Sequence, residues 1–352
     1  MPKLKAGVVG AGIIGKSHVR RYMEMRGDVE LVALADIDEA EAQRVAQANG
    51  IGRVFSDYRD LLAVDEIDTV DVCLPNFLHA PVSIAALEAG KHVYCEKPMA
   101  RTGAEAQAMY ETAQKTGKQL HVQMGTVFTR ETKAAKRLIE DGALGRVYYV
   151  KTSHGRRKGR VYVDGYATTH FVQKEKSGGG TLADTGIYNM ARMVYLLGML
   201  EPETASGSVF TEIPMDEKRR ADSGFDVEEF AAGVVRFKND VTMVVEEAWA
   251  AFGEFDGDKL FGSLGGLRLN PFTLYTDLYG MDANVSFNLD SYERSLRQKG
   301  QSSAGYDDSQ RHFVWSVLER IEPIDTGRIG MIVAQITSAL YESAEKRAET
   351  RF

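Results

Sequence analysis

The chain has 352 residues, 44% of them hydrophobic and 26% charged, which is typical of a folded globular protein and suggests two domains. Its net charge of −7 argues against a nucleic-acid partner bound through phosphate charge. The sequence has no run of about 18 apolar residues that would span a membrane. Its start runs directly into a strand without the apolar segment of a signal peptide. We therefore expect a cytoplasmic protein whose cysteines, Cys73 and Cys95, are free thiols.

The first predicted strand, Leu4–Val9, leads into a glycine motif and a helix that extends to Met25. The motif has the form G-x-G-x-x-G and consists of Gly10, Ala11, Gly12, Ile13, Ile14 and Gly15. Between a strand and a helix, this motif is typical of dinucleotide binding. The first glycine permits a tight turn, the second lets a pyrophosphate approach the backbone, and the third lets the helix pack closely on the sheet.

An acidic residue follows the second predicted strand. The strand Val29–Ala35 leads to Asp36, which lies 21 residues after Gly15, near the spacing of a carboxylate that binds the adenosine ribose. This carboxylate would repel the 2′-phosphate of NADP, and Ile37 stands where an NADP enzyme could carry a basic residue. The sequence therefore favours NAD over NADP as the cofactor.

Helices and strands continue to alternate up to residue 124. The predicted helices are 38–49, 80–89 and 102–116, and the predicted strands are 54–55, 67–74, 91–95 and 120–124. Such alternation indicates βαβ units and a parallel sheet. Pro75 and Asn76 end one strand at the same sheet edge as the glycine motif. We expect them to pass along the nicotinamide ribose, although Pro-Asn also forms ordinary strand-to-helix turns.

The strand 91–95 is followed by Glu96, Lys97 and Pro98. Pro98 disfavours a helical conformation for the residue before it, so Lys97 should extend from the carboxyl end of the strand. Ligands of open α/β sheets bind at this end. We therefore expect Lys97 to stand where cofactor and substrate meet.

The second half of the chain shows a different pattern. We predict helices at 130–141, 182–197 and 328–347, a strand at 147–153, a long loop at 161–176, a hairpin turn at 238–240, and β-rich segments at 209–213, 229–237, 241–249 and onwards to about residue 287. Strands without intervening helices indicate an antiparallel sheet. The sequence thus predicts an α/β domain, 1–124, and an α+β domain, 125–352, whose closing helix could pack back on the first domain.

Asp184 and Tyr188 are four residues apart on the predicted helix 182–197, so their side chains should share one face. An acid in a first helical turn is ordinary helix-dipole chemistry, and a tyrosine beside an apolar stripe usually belongs to the core. The pair becomes a candidate active site through the other motifs around it. Two interpretations, a solvated face or a substrate contact, also apply to the basic cluster of Arg156, Arg157, Lys158 and Arg160.

Four motifs occur in order and together resemble the Gfo/Idh/MocA family of glucose-fructose oxidoreductase and inositol dehydrogenase. They are the glycine motif, Leu74-Pro75-Asn76 with His79, Glu96-Lys97-Pro98, and the segment from Gly178 to Tyr188. The resemblance covers nearly the whole chain. It implies a Rossmann domain followed by an α+β domain with an open, mainly antiparallel sheet, and homodimers or homotetramers packed through the outer face of that sheet. It also implies hydride transfer between nicotinamide and a secondary alcohol of a sugar, polyol or glycoside.

The resemblance assigns roles residue by residue. Lys97 matches the family's active-site lysine and Asp184 the acid of its Asp-x-x-x-His pair, whereas Tyr188 stands where most members have the catalytic histidine. A tyrosine there is similar to the subgroup of glucose-fructose oxidoreductase and dimeric dihydrodiol dehydrogenase. The expected cofactor contacts are Gly10, Gly12, Ile13, Ile14, Gly15, Asp36, Leu74, Pro75, Asn76, His79, Glu96 and Lys97. The expected substrate contacts are Lys97, Arg157, Tyr166, Asp184 and Tyr188.

In the expected reaction, Tyr188 accepts the hydroxyl proton, and Lys97 polarises the substrate oxygen and favours the phenolate. Asp184 binds a second hydroxyl or keeps Lys97 charged. Two alternatives stay open: an enzyme that recycles bound NAD to cleave glycosides without net NADH, and a non-enzymatic NAD or sugar sensor. No metal is expected, because the sequence lacks His-x-x-x-His and close cysteine pairs.

Overall fold

The computed structural model describes residues 3–165, 167–298 and 307–352. The chain divides into two compact units. The first comprises the described residues of Met1–Ala100, Ala104–Gln123 and Ala304–Met331, and the second those of Arg101–Gly103, Met124–Ser303 and Ile332–Phe352. Within the described residues, no helix is both long enough and apolar enough to cross a membrane.

The elements are numbered in chain order. The strands are β1 Leu4–Val9, β2 Val29–Ala35, β3 Arg53–Phe55, β4 Thr69–Val72, β5 His92–Cys95, β6 Leu120–Val122, β7 Val147–Gly155, β8 Pro202–Phe210, β9 Phe230–Phe237, β10 Val241–Ala248, β11 Lys259–Gly262, β12 Gly265–Leu269, β13 Phe272–Leu278, β14 Met281–Ser286 and β15 Thr350–Arg351. The α-helices are α1 Ile13–Glu24, α2 Glu39–Asn49, α3 Tyr58–Leu62, α4 Asn76–Glu88, α5 Gly103–Thr116, α6 Arg130–Glu140, α7 Lys174–Ser177, α8 Ile187–Leu196, α9 Glu217–Ser223, α10 Leu289–Gln298, α11 Ser309–Val317 and α12 Thr326–Lys346. Gly125–Phe128 and Thr169–Val172 are 3₁₀ helices, and Leu182–Gly186 is a π-helical turn.

The first unit is built on a parallel sheet. Its described strands pair in the order β3-β2-β1-β4-β5-β6, and every pair is parallel. The strand order reverses between β1 and β4, so the carboxyl ends of these strands flank a switch point, where doubly wound sheets bind ligands. β1 and β4 are buried almost throughout, as expected of parallel strands covered on both faces. The prediction of a Rossmann-type domain is confirmed.

The second unit contains a mixed sheet. The described strands pair in the order β14-β13-β12-β11-β7-β10-β9-β8-β15. β7 and β10 are parallel, and the other pairs are antiparallel. The predicted hairpin turn joins β9 to β10, with Asn239 and Asp240 at positive φ angles of 68° and 56°. Such angles suit the twist of tight hairpins. The prediction of an open, mainly antiparallel sheet is also confirmed.

One predicted strand is misplaced along the chain. The strand predicted at 209–213 is β8, which ends at Phe210. The backbone beyond it leaves the sheet because the N–H groups of Glu212 and Ile213 donate to the buried Oε1 of Glu229, at 2.7 and 2.6 Å. A carboxylate thus replaces the carbonyls of a partner strand as the acceptor.

Several short helices were not predicted. α3, α9 and α11 each begin after an aspartate, at Asp57, Asp216 and Asp308, whose carboxylate accepts a backbone N–H of the first turn. These caps stabilise helices too short to show an apolar period. α10 was missed as well, and the predicted loop 161–176 contains one 3₁₀ helix and α7. α4 begins at Asn76 rather than at residue 80, directly after Pro75.

The predicted helix 182–197 is not a uniform α-helix. Its first turn, Leu182–Gly186, is π-helical, and α8 continues from Ile187 to Leu196. A π turn inserts extra backbone and redirects side chains, and such turns are frequent at functional sites. The closing helix, predicted at 328–347, is α12, whose residues belong to the first unit up to Met331 and to the second from Ile332.

Candidate active site

The glycine motif of the first unit forms a tight turn with an open middle. Gly10 has a φ of 108°, and a Cβ there would lie 2.2 Å from the Cys73 carbonyl oxygen. A Cβ on Gly15 would lie 1.9 Å from the carbonyl oxygen of Gly10. By contrast, no described atom that could hinder a side chain lies within 4 Å of the Cβ position of Gly12. The loop is therefore open to a ligand at Gly12 and tightly packed at Gly10 and Gly15.

Helix α1 starts at this open point. No described side chain caps it, and its first turn carries no acidic residue. Its N–H groups and positive dipole end therefore remain available to a phosphate. Ile13 and Ile14 are 82% and 46% exposed, although they are large and apolar. Exposed isoleucines beside an uncapped helix start fit a site that a ligand covers.

Asp36 is fixed beside the glycine motif. Its Oδ2 accepts the N–H of Ala11 at 2.6 Å, and its Oδ1 accepts the N–H of Asp38 at 2.9 Å. The carboxylate is held at the end of β2, where a ribose diol would bind, and Ile37 beside it is 95% exposed. Together with the glycine turn, this arrangement fits NAD.

The loops that follow β4 and β5 are joined by a buried histidine. His79 lies in α4 with no exposed surface; its Nδ1 is 2.6 Å from the Pro98 carbonyl oxygen and its Nε2 2.7 Å from that of Leu74. Burial lowers the pKa of His79. The ring would therefore act on a cofactor site through these loops rather than by contact. Lys97, half-buried, precedes Pro98 through a cis peptide bond.

In the second unit, the helix that follows the glycine run at 178–180 presents a polar face. Asp184, Thr185, Tyr188 and Asn189 are half-buried, whereas the neighbours from Leu182 to Met190 on the other side are buried. Asp184 Oδ2 accepts the indole N–H of Trp249 at 3.1 Å. The predicted pair thus lies on one accessible face, and its carboxylate is oriented by a fully buried tryptophan.

The start of that helix is anchored by another carboxylate. Glu228 accepts the N–H of Gly180 at 2.8 Å, the N–H of Leu182 at 2.9 Å and the hydroxyl of Tyr341 at 2.8 Å. Burial raises the pKa of Glu228. Because these bonds bracket the residues before Asp184, the glycine run is held in one conformation.

A second buried acid, Glu247, lies beneath the same face. It is 1% exposed; its Oε1 accepts from Asn189 at 2.9 Å and from Thr152 at 3.3 Å. Its Oε2 receives no hydrogen bond from any described residue. Burial raises the pKa of Glu247 to about 7, although the charge of nearby His154 lowers it. This side chain therefore changes charge near neutral pH.

Comparison with known proteins identifies the family. Residues 4–124 match the oxidoreductase family with an NAD-binding Rossmann fold, GFO_IDH_MocA, and residues 132–268 match the GFO/IDH/MocA C-terminal domain. The chain belongs to the Gfo/Idh/MocA oxidoreductase family. The predictions of an NAD-dependent oxidoreductase of the sugar and polyol dehydrogenase class, and of NAD as its cofactor, are thereby confirmed.

Relatives within the Gfo/Idh/MocA family match most of the chain. The D-glucoside 3-dehydrogenase of Escherichia coli is 30% identical over 97% of this chain and 95% of its own length. The levoglucosan dehydrogenase of Pseudarthrobacter phenanthrenivorans is 31% identical over 84% of this chain and 75% of its own. Among solved structures, a levoglucosan dehydrogenase complexed with NADH and levoglucosan gives a TM-score of 0.80 at 26% identity and covers 99% of both chains.

The basic cluster of this Gfo/Idh/MocA chain divides into two parts. Arg156, Arg157 and Lys158 are exposed, so Arg157 is accessible to a substrate. Arg160 is 1% exposed and pairs with Asp164 and Glu229, both at 3.0 Å. Neither a solvated face nor a substrate contact describes Arg160, which is a buried structural ion. Tyr166, a predicted substrate contact, lies outside the described residues.

Sequence reasoning missed the polar residues that support the predicted site. They are His18, Asp71, Glu228, Glu247 and Trp249. His18 carried a local signal, since it interrupts the buried stripe of α1 at three residues after Gly15. Potential metal-binding atoms of His18, Asp71 and Cys73 lie within 4.8 Å of one another, but both ring nitrogens already face carboxylates.

Proposed function

We propose that the protein oxidises a secondary ring hydroxyl of a glucose derivative whose anomeric carbon is blocked, such as a glucoside or an anhydro sugar, with NAD as the acceptor. The names of two relatives support this substrate class. D-glucoside 3-dehydrogenase matches nearly the whole chain, and levoglucosan dehydrogenase matches most of it. A D-glucoside and levoglucosan share a closed pyranose ring without a free aldehyde.

The observation that carries the assignment of the active site is the half-buried face of Asp184 and Tyr188, with Asp184 held by Trp249. In this proposal, Tyr188 is the proton acceptor, Lys97 is the activating cation and Asp184 binds a substrate hydroxyl. NAD, held by the glycine turn and Asp36, would supply the hydride acceptor. Tyr188 accepts the hydroxyl proton, and Lys97 polarises the substrate oxygen. A phenol has an ordinary pKa of about 10, so a nearby ammonium is needed to favour its anion.

Tyr188 would place the protein in the subgroup that uses tyrosine where most members use histidine. The carboxylate of Asp184, held in its orientation by Trp249, would bind a second sugar hydroxyl. Exposed Arg157 would contact the sugar or its aglycone.

A panel of sugars tests the substrate. The protein would be mixed with NAD and methyl β-D-glucoside, levoglucosan, myo-inositol or glucose, and formation of NADH would be followed by absorbance. We expect the first two to be oxidised with higher kcat/KM than glucose. Release of a phenol from a nitrophenyl glucoside without net NADH would instead indicate the glycoside-cleaving alternative. Preference for myo-inositol would contradict the proposed substrate.

Substitution of Lys97 by alanine tests the site. A proton-transfer set contributes on the order of a hundredfold to ten-thousandfold in rate, so kcat should fall by that amount. NADH affinity, measured by fluorescence titration, should change only a few-fold because the glycine turn and Asp36 are intact. Asp184→Asn is the variant to compare with Lys97→Ala. It removes the charge of the carboxylate, and the amide oxygen of the asparagine can still accept the indole N–H of Trp249. Undiminished kcat in Lys97→Ala would refute the assignment.

We further propose a homodimer or homotetramer formed through one face of the second sheet. Tyr149, Phe261 and Tyr275 are linked by cross-strand register through Gly266, so they share that face. Phe261 and Tyr275 are 42% and 38% exposed. Phe261→Asp should lower the mass measured by size-exclusion chromatography with light scattering. A monomeric parent protein would refute this proposal. The cytoplasmic location stays a prediction.

A further inference from the structure

A histidine of the first unit lies buried between two carboxylates. His18 is on the buried face of α1 and is 3% exposed. Its Nδ1 is 2.9 and 3.0 Å from the two carboxylate oxygens of Asp71, and its Nε2 is 2.9 Å from Oε1 of Glu96. Asp71 has no exposed surface, and Glu96 is 8% exposed. Both ring nitrogens therefore face acceptors in the interior.

Between two ionised carboxylates, this arrangement favours a charged ring. A neutral imidazole has one N–H and could donate to only one carboxylate, leaving the other opposite a lone pair. Burial disfavours the charge, but the charges and hydrogen bonds of Asp71 and Glu96 raise the pKa of His18 to about 10. The histidine therefore remains an imidazolium at neutral pH.

The neighbouring groups do not offset this charge. The thiol of Cys73, which directly follows β4, and the phenol of Tyr94 on β5 contact the ring. The buried phenol of Tyr22 lies one turn further along α1, and the amide of Gln310 on α11 donates to the backbone carbonyl of His18. Burial raises the pKa of the thiol and of both phenols well above their usual values, so they stay neutral. The charge around the ring is thus set by His18, Asp71 and Glu96.

Glu96 links this cation to Lys97. Its Oε2 accepts the backbone N–H of Lys97 at 3.0 Å. Burial opposes ionisation of Glu96, but the hydrogen bond and charge of His18 and the charge of Lys97 lower its pKa. On the other side of Lys97, the Pro98 carbonyl lies 2.6 Å from the ring of His79. The main chain is therefore held both before and after the lysine.

We propose that His18 is a positioning residue for Lys97: it fixes the Glu96 carboxylate, and Glu96 fixes the main chain from which the ammonium projects. The inference rests on the proposed function, in which Lys97 polarises the substrate oxygen. A misplacement of about 1 Å in a reacting group costs on the order of a hundredfold in rate. Loss of the contacts that join His18 to Glu96 and Glu96 to the main chain of Lys97 should therefore lower kcat more than it weakens substrate binding.

Two substitutions separate the two hydrogen bonds of the ring. The amide nitrogen of His18→Gln reaches the position of Nε2 and can still donate to Glu96. The amide nitrogen of His18→Asn reaches the position of Nδ1 and can donate only to Asp71. His121→Gln is the matched control, because His121 is also buried, and its Nε2 contacts Ser309 at 3.1 Å. Thermal unfolding would establish how much of each variant is folded.

The activity measurement uses NAD and the glucose derivative that the sugar panel selects. We expect His18→Asn to lose about tenfold to a hundredfold in kcat with little change in KM, His18→Gln to lose less, and His121→Gln to keep the kcat of the parent protein. A purely structural role predicts lower stability for all three with unchanged kcat per folded molecule. That pattern, or equal losses for the two His18 variants, would overturn the inference.

A measurement without substrate separates this inference from the proposed function. The lysines would be ¹³C-methylated reductively, and the Lys97 resonance would be identified by its absence in Lys97→Ala. We expect this resonance to move in His18→Asn and to stay in place in His121→Gln. A resonance that does not move would overturn the inference even if the protein oxidises glucosides. A resonance that moves in a protein that oxidises none of the sugars would support the positioning role of His18 and refute the proposed substrate.

Discussion

Replacement of Glu247 by glutamine should stabilise the second unit at alkaline pH. Burial raises the pKa of Glu247 from its ordinary 4.5 to about 7. The folded state therefore retains a proton that the unfolded chain releases between these pH values. By linkage, stability falls as pH rises through this window, because the folded state must carry a buried charge above pH 7. The amide of glutamine has a similar shape and no such titration.

The size of the effect follows from the shift. A difference of about 2.5 pKa units at about 1.4 kcal/mol per unit gives roughly 3 kcal/mol between pH 4.5 and pH 8. The quantity to measure is the free energy of unfolding of Glu247→Gln minus that of the parent protein. This difference should grow by about that amount as pH rises, whatever constant cost the amide has in packing.

Trp249 provides a local probe of the change. It is fully buried and lies two residues from Glu247, and the second tryptophan, Trp315, can be replaced by phenylalanine in both proteins. Urea unfolding would then be followed by Trp249 fluorescence at pH 5 and pH 8. A stability difference that is the same at both pH values would refute the reasoning.

The adjacent acid gives a control of opposite sign. Glu246 pairs with Lys151 at 2.9 Å, and although burial opposes it, this lysine lowers the pKa of Glu246. A lowered pKa adds stability above the ordinary value of the group, and that stability is lost as pH falls through the folded value. Glu246→Gln should therefore be less stable than the parent at pH 8, and the gap should narrow in acid.

Three further predictions concern the glycine motif, Tyr188 and His18. Gly12→Ala should unfold like the parent protein but bind NADH more weakly in fluorescence titration, whereas Gly15→Ala should lose stability as well, because only its Cβ would meet backbone. Tyr188→Phe should lower kcat by about a hundredfold or more, and Tyr188→His should restore part of it with a pH limb near the ordinary histidine pKa of about 6.5; equal kcat in the parent and Tyr188→Phe would contradict the proposed base. The raised pKa of His18 adds stability that is complete below pH 6.5 and is lost as pH rises towards 10, so the parent should lose about 1.4 kcal/mol per pH unit relative to His18→Gln between pH 7 and 9 in chemical unfolding; parallel curves would show that the ring is neutral.

The sequence predicted those parts of the fold that depend on local period and punctuation. β1 and β2 were predicted to the residue, because apolar runs of parallel strands end at glycine or aspartate. Local pattern did not predict α11, whose place in the first unit depends on contacts far apart in sequence. Its Phe313 ring lies 5.4 Å from that of Tyr94, and Ser309 accepts the hydroxyl of Tyr94 at 3.1 Å.

The same distinction applies to the candidate site. Lys97, Asp184 and Tyr188 were predicted because each belongs to a short motif. Trp249, which orients Asp184, and His18, which contacts Glu96, were missed, since they lie 65 and 78 residues from these partners in sequence. A hydrogen bond between such positions leaves no periodic trace in the chain.

Buried carboxylates lie at both segments that carry the candidate catalytic groups. Asp71 and Glu96 lie on either side of the His18 ring, and Glu96 directly precedes Lys97 in the chain. Glu228 accepts a backbone N–H of the segment just before Asp184. Removing ions from water costs several kcal/mol each, and apolar side chains of similar volume often stabilise a core as well or better. Stability alone therefore gives no reason to place acids at these points. What a carboxylate adds is direction, because it accepts hydrogen bonds from chosen N–H groups and holds a loop in one orientation, which hydride and proton transfer require.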